Sequence, residues 1–290
     1  MPYHALHMPE PLIVDTHVHV ASTDTTRYPV AQTSGAEEHW IFDRPLPAED
    51  LLARMDAAGV AKAVLVQPGP MLTDNRYVID SAQQYPDRFA TVCVVDEFAP
   101  DAAQQIRYWI EERGGSGIRL SVVSRADASE WLTDRALDPV WDTVEQLGIT
   151  VAVHVRWNGL ADLRTVLGRR PNVKVALDHL AHADLAAGPP YQAAQPLFEL
   201  AECPNLYLKV TTWSLAALAE QPTGPAPFIE RLVQAYGANR LTWGSNAPRT
   251  PGDYVTFAGL ARSAVETLSD DDAAWLLGKT AFSLYPKLQT

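Results

Sequence analysis

At 290 residues, with 47% hydrophobic and 20% charged side chains, the chain suits one large α/β domain and is too apolar to be disordered. A formal net charge of −12, with no basic stripe, argues against nucleic acid as a partner and favours solubility. Two cysteines, Cys93 and Cys203, are too few for a disulfide framework and fit a reducing cytoplasm.

Residues 1–11 (MPYHALHMPEP) read as a tail without the basic and apolar regions of a secretory signal. No apolar run reaches about 18 residues, so no membrane span is expected. Eight β-branched runs then follow: LIVDT (12–16), KAVLVQ (62–67), FATVCVV (89–95), GIRLS (117–121), TVAVHV (150–155), VKVALD (173–178), LYLKVT (206–211) and RLTWGS (240–245). Amphipathic stretches at 48–59, 75–86, 101–115, 137–148, 160–171, 193–204, 226–237, 252–268 and 269–286 fill most of the intervals, several ending in Gly or running into Pro. This alternation predicts parallel β-α units, and eight of them predict a single-domain (β/α)8 TIM barrel over 1–290. An open doubly wound sheet is the alternative, weakened because no G-x-G-x-x-G follows strand one. The long irregular stretch 21–48 is expected to act as a lid, with Tyr28, Trp40 and Phe42 as its apolar inner face and Glu37, Glu38 and His39 in solvent or at the substrate.

In such a barrel the chemistry gathers at the C-terminal ends of the strands. Strand one ends in His17 and His19, two imidazoles that i, i+2 spacing turns to one side, as a transition metal requires. Strand five offers His154 as a third ligand, with Arg156 just beyond it to meet an anionic substrate. Arg119 on strand four is either a substrate anchor or one half of an internal ion pair. Strand six ends in Asp178 and His179; His179 is the expected general acid or base, or a further ligand. His182, a turn later, reads as a loop residue behind it. Lys209 on strand seven reads as an interior ion-pair partner, and Thr211 and Trp213 as pocket walls. Strand eight ends in Asn246, with Arg249 behind it. Together, Arg119, Arg156 and Arg249 point to a small-molecule carboxylate as substrate.

The motifs DTHVHV, PDRFATV, GIRL, VAVHV, VALDHLA, WGSNAP and GKTAFSLYP, in this order over nearly the whole chain, resemble the amidohydrolase superfamily, in its amidohydrolase-related (type 2) branch. The branch includes lactonases and non-oxidative decarboxylases. The resemblance implies a (β/α)8 barrel with one divalent metal, Zn or Mn, on His17, His19, His154 and position 246. It also implies that His179 binds the substrate or moves a proton, and it leaves a homodimer open. Some lactonases of the branch work without metal.

The sequence departs from the pattern at two points. Asn246 stands where an Asp is usual, and Thr280 where an Asn is usual; the second change is expected to touch only helix capping. Asn246 removes a fixed proton acceptor and one anionic ligand. Three neutral imidazoles still suffice to acidify a metal-bound water. The expected activity is therefore hydrolysis of a carboxylate-bearing lactone, with His179 and Asn246 at the reacting atoms. A metal-dependent decarboxylase of a small unsaturated acid is the first alternative and a non-catalytic binding barrel the second.

Overall fold

The computed structural model describes residues 11–31, 40–121 and 130–289. All eight expected strands form: β1 (Ile13–Val18), β2 (Val60–Val66), β3 (Phe89–Cys93), β4 (Gly117–Ser121), β5 (Thr150–His154), β6 (Val175–Leu177), β7 (Leu206–Thr211) and β8 (Leu241–Gly244). They pair in parallel, in chain order. Across the seam, Asn246 N–H donates to the His17 carbonyl at 2.7 Å, His19 N–H to that of Ala247 at 2.8 Å, and Thr16 Oγ1 to that of Trp243 at 2.7 Å. The sheet thereby curls into a nearly closed (β/α)8 barrel. At Gly244 a Cβ would lie 2.6 Å from that of His17, so the seam closes this tightly only with glycine there.

Side-chain alternation decides what faces inward. Val64 and Val66, Ala90 and Val92, Ala152 and Ala176 fill the lower interior with Val14, and Tyr285 and Leu288 of the C-terminal segment close it from below. The same parity carries Arg119, His154, Asp178 and Lys209 into the upper interior. Strand one obeys this rule only because it is irregular. Val14 points in and Val18 packs outward with the helix-facing core, and the pairing with β2 slips between Asp15 and Val18. That bulge switches the facing of the strand, so that His17 and His19 turn toward the interior.

The helices mostly follow the expected stretches. Asp138–Leu147, for example, starts with Pro at N1/N2 and ends at Gly148 in the left-handed conformation. One was missed: Thr212–Ala219 follows directly on β7, within the run TWSLAALA. The expected helix at 193–204 is instead a chain of short turns around Gln195–Glu199. Thr280 does not cap a helix, because a π-turn runs straight into Thr280–Leu284; its hydroxyl donates to the Ala238 carbonyl at 3.3 Å. The expected lid face is corrected in part. Trp40 is buried, its ring 5.7 Å from that of His19, but Tyr28 turns away to bond Asp80 and pack on Tyr77, and Phe42 is half exposed. Glu37, Glu38 and His39 lie outside the described residues. No described helix is long and apolar enough to cross a membrane.

Candidate active site

Asp178 is the centre of the barrel mouth. It is fully buried and meets Arg119 Nε at 2.8 Å through Oδ2, and Lys209 Nζ at 3.0 Å and His17 Nδ1 at 3.3 Å through Oδ1. Burial raises its pKa, but Lys209, His17 and Arg119 together outweigh that and hold the carboxyl well below its usual range. Burial lowers the Lys209 pKa, and Asp178 opposes the fall. The contacts at Oδ1 are close but none is a well-aligned hydrogen bond, so this oxygen keeps acceptor capacity. A second buried carboxylate, Asp15, serves the seam: Oδ1 accepts N–H bonds from His17 and Ser245, and Oδ2 accepts from the Tyr254 hydroxyl.

Above this floor five of the eight histidines form a file. Successive ring centroids lie 5.0 Å apart from His19 to His17, 4.7 Å to His179, 5.1 Å to His154 and 5.2 Å to His182. Burial lowers the pKa of all five, to about 4 for His17 and His182, so the file is neutral near pH 7. Some tautomers follow from the partners. His19 Nδ1 lies 2.8 Å from the Val66 carbonyl, which only accepts, so Nδ1 carries the proton and Nε2 a lone pair. His154 and His182 face each other, Nε2 to Nε2, at 2.9 Å, so one donates and the other accepts. His179 Nδ1 pairs with Thr211 Oγ1 at 3.1 Å, and His17 Nε2 is buried without a partner among the described residues.

His179 and His182 owe their places to an unusual turn. Residues 179–182 all have φ near +54°, so Asp178–His182 forms a left-handed helical turn containing no glycine. Each such residue costs roughly 1–2 kcal/mol, and strain of this kind persists where the surroundings enforce it. With about three residues per turn, positions 179 and 182 share a side; their ring centroids are 5.4 Å apart. Sequence reading set His182 behind the site, whereas it lines the cavity; the i, i+3 spacing in DHLAH was the available signal, and a glycine marking the reversed twist was absent.

Asn246 also has positive φ, 56°, which asparagine tolerates. Its Nδ2 donates to Thr250 Oγ1 at 3.0 Å, leaving Oδ1 buried without a partner among the described residues. His154, His179, His182 and Asn246 line a cavity of about 310 Å³, with Arg156, Arg249 and Trp213 around its rim. Arg119 is held below the cavity by its ion pair with Asp178.

His17, Asp178 and His179 each bring a ligand atom within 4.8 Å of the others, a group able to hold a metal ion. Of the expected trio only His17 belongs to it. His19 keeps the Nε2 lone pair that its bond to Val66 orients, but lies outside this group, and His154 has turned Nε2 to His182. The donors suit a divalent ion: the imidazoles are neutral, and His17 Nε2 and Asn246 Oδ1 are orphaned. The charge balance suits it less, since Lys209 and Arg119 already neutralise Asp178.

The amidohydrolase family profile matches residues 14–287, spanning the whole barrel. The chain belongs to the amidohydrolase superfamily, in its type 2 branch. Among members of this superfamily it is similar to an L-fucono-1,5-lactonase of Burkholderia ambifaria, with 28% identity over 83% of this chain and 84% of that one. It is also similar to a 4-sulfomuconolactone hydrolase of Hydrogenophaga intermedia, with 22% identity over 81% and 74% of the two chains. A crystal structure of an amidohydrolase from Burkholderia multivorans with bound zinc shares the fold, with a TM-score of 0.76 and 23% identity over 95% and 99%.

Proposed function

We propose that this amidohydrolase opens a lactone that carries a carboxylate. The observation behind the reading is one cavity with neutral imidazoles and an orphaned amide oxygen at its base and two arginines at its rim. Its volume, about 310 Å³, suits a single small ring. Arg156 and Arg249 bind the carboxylate and so fix which face of the ring meets His179. His179 is neutral, and Thr211 engages its Nδ1, so Nε2 is the end that exchanges a proton. As water adds to the carbonyl carbon, His179 takes its proton while Asn246 Oδ1 accepts a hydrogen bond from the same water. The ring C–O bond then breaks, and His179 returns the proton to the leaving oxygen, giving a hydroxy acid. His17, Asp178 and His179 are the residues that would hold zinc or manganese; an ion bound there would take the His179 lone pair, and would itself polarise the carbonyl and acidify water in place of the imidazole base.

The relatives named for lactone hydrolysis support this reading at the level of reaction class. The test is a panel of carboxylated lactones, with and without added Zn²⁺ or Mn²⁺, assayed by acid release. Turnover that falls at least 100-fold in His179→Ala is expected; no turnover above that variant ends the proposal. Asn246 favours one second reading, because decarboxylation needs a grip on a carboxylate and a proton donor but no base for water. Release of carbon dioxide, rather than of acid, would select it. A ligand that binds and leaves unchanged would select a binding barrel.

A further inference from the structure

Beside the reaction cavity lies a larger hollow of about 410 Å³, and the two share His182 and Trp213 as a common wall. Their chemistry differs. The first has Arg156 and Arg249 at its rim; the second has Asp184, Glu220 and Gln221. Trp213 sits in the first turn of the helix Thr212–Ala219, 48% exposed, with its ring 5.1 Å from that of His182. Ala217 follows one turn later, and Glu220 and Gln221 one turn after that, so indole, methyl and polar heads run along one helix face. Asp184 stands on the opposite wall, with Oδ1 already accepting from Ala186 N–H at 3.0 Å. Gln221 ties the walls together through Nε2 to the Leu185 carbonyl, while its Oε1 is shut off from water with no partner among the described residues. A flat apolar strip bordered by hydrogen-bond acceptors suits a molecule with C–H faces and hydroxyl edges. Of its two carboxylates, Asp184 is half committed to its own turn and Glu220 stands exposed at the helix end, which makes a weaker seat for a bare cation.

We propose that this second hollow is a subsite for an uncharged, hydroxylated extension of the substrate, such as a glycosyl unit attached to the lactone ring. The inference rests on the lactonase reading of the neighbouring cavity. The substrate then spans both hollows, with its carboxylate at Arg156 and Arg249 and its hydroxylated tail on Trp213.

The test compares the lactone of an acidic sugar with the same lactone bearing a glycosyl unit and with one bearing an ammonium tail, on the full chain. Wild type is expected to favour the glycosylated lactone at least tenfold in kcat/KM. Ala217→Phe, which fills the hollow from an exposed position, is expected to abolish that preference and leave the short lactone unchanged. Glu220→Ala is expected to reduce the preference severalfold. Equal kcat/KM for short and glycosylated lactones, a preference that survives Ala217→Phe, or a stronger preference for the ammonium tail would each overturn the inference. If no lactone is hydrolysed, calorimetric titration with the opened glycosylated hydroxy acid separates the two ideas. Binding that Ala217→Phe weakens tenfold would keep the subsite while the lactonase reading falls; no binding would remove the subsite as well.

Discussion

The floor and the rim of the barrel mouth both contain arginine, and they use it in opposite ways. On the floor, Arg119 meets Asp178 at 2.8 Å, out of water, in a network with Lys209 and His17. At the rim, Arg156 is exposed, and it and Arg249 border open space. A buried ion network is rigid, and breaking it is expensive. A solvated charge at a cavity edge, such as Arg156, contributes little to stability and remains able to meet a ligand. The floor therefore fixes the imidazoles, and the proposed role of the rim is to select what reaches them.

The largest expected effect sharpens the contrast through pH. Above pH 6.5 a histidine is neutral in both the folded and the unfolded chain. Between 6.5 and about 4 only the unfolded chain takes up a proton at His17 and His182, so stability falls as pH falls. Burial also lowers His19, His154 and His179 well below the ordinary value, and they act in the same direction. Each group contributes a slope of about 1.4 kcal/mol per pH unit in that window. Urea unfolding at pH 7.5, 6 and 5 should show a free energy that drops with a slope of several protons. A flat profile would mean that the file is not neutral in the fold.

Next comes the floor itself. Asp178→Asn keeps the shape but leaves Lys209 and Arg119 buried without their counter-charge, and should cost about 3–5 kcal/mol in urea unfolding. Lys209→Met in the same chain should restore part of that loss, which a double-mutant cycle reads directly. Asn246→Asp acts on the opposite charge deficit. It should raise affinity for Zn²⁺ at least tenfold in chelator competition, with about one ion per chain by elemental mass spectrometry, and His17→Ala should remove that ion. Unchanged affinity would show that the charge at position 246 does not govern metal binding.

At the rim, Arg156→Ala and Arg249→Ala should each raise KM about tenfold for a carboxylated lactone. The stability cost of Arg156→Ala should stay within about 0.5 kcal/mol. A rim variant as destabilising as Asp178→Asn would erase the distinction between the two layers.

The same two layers differ in how legible they were. Strand order, barrel closure and the strand-end residues His17, His179 and Asn246 were readable, because alternation and β-α spacing are local properties of the chain. Lys209 was recognisable as an interior charge from its parity in LYLKVT. What the residues do with one another was less readable. That Asp178 is the hub of the buried ion network depends on four strands meeting. The inward turn of His17 and His19 depends on a bulge that the run IVDTHV does not announce. The helix at 212–219 is hard to read because Thr211 and Thr212 prolong the β-branched run of strand seven, although SLAALA is a good helix former.

The smallest effect concerns the turn that lifts His179 and His182 into place. Ala181 and Ala258 are both fully buried alanines, but Ala181 has φ 54° in the left-handed turn and Ala258 lies inside the helix Tyr254–Val265. Replacing either with glycine loses one buried methyl, about 0.8 kcal/mol. In the helix, glycine costs about a further 1 kcal/mol of conformational freedom. In the turn the sign reverses, because glycine relieves roughly 1–2 kcal/mol of left-handed strain. Ala258→Gly should thus lower the free energy of unfolding by about 2 kcal/mol, while Ala181→Gly should leave it unchanged or raise it by up to about 1 kcal/mol. If the two losses are equal, the turn is not strained at Ala181. If Ala181→Gly is neutral in stability yet slows turnover, the strain orients His179, and the alanine is kept for geometry rather than for packing.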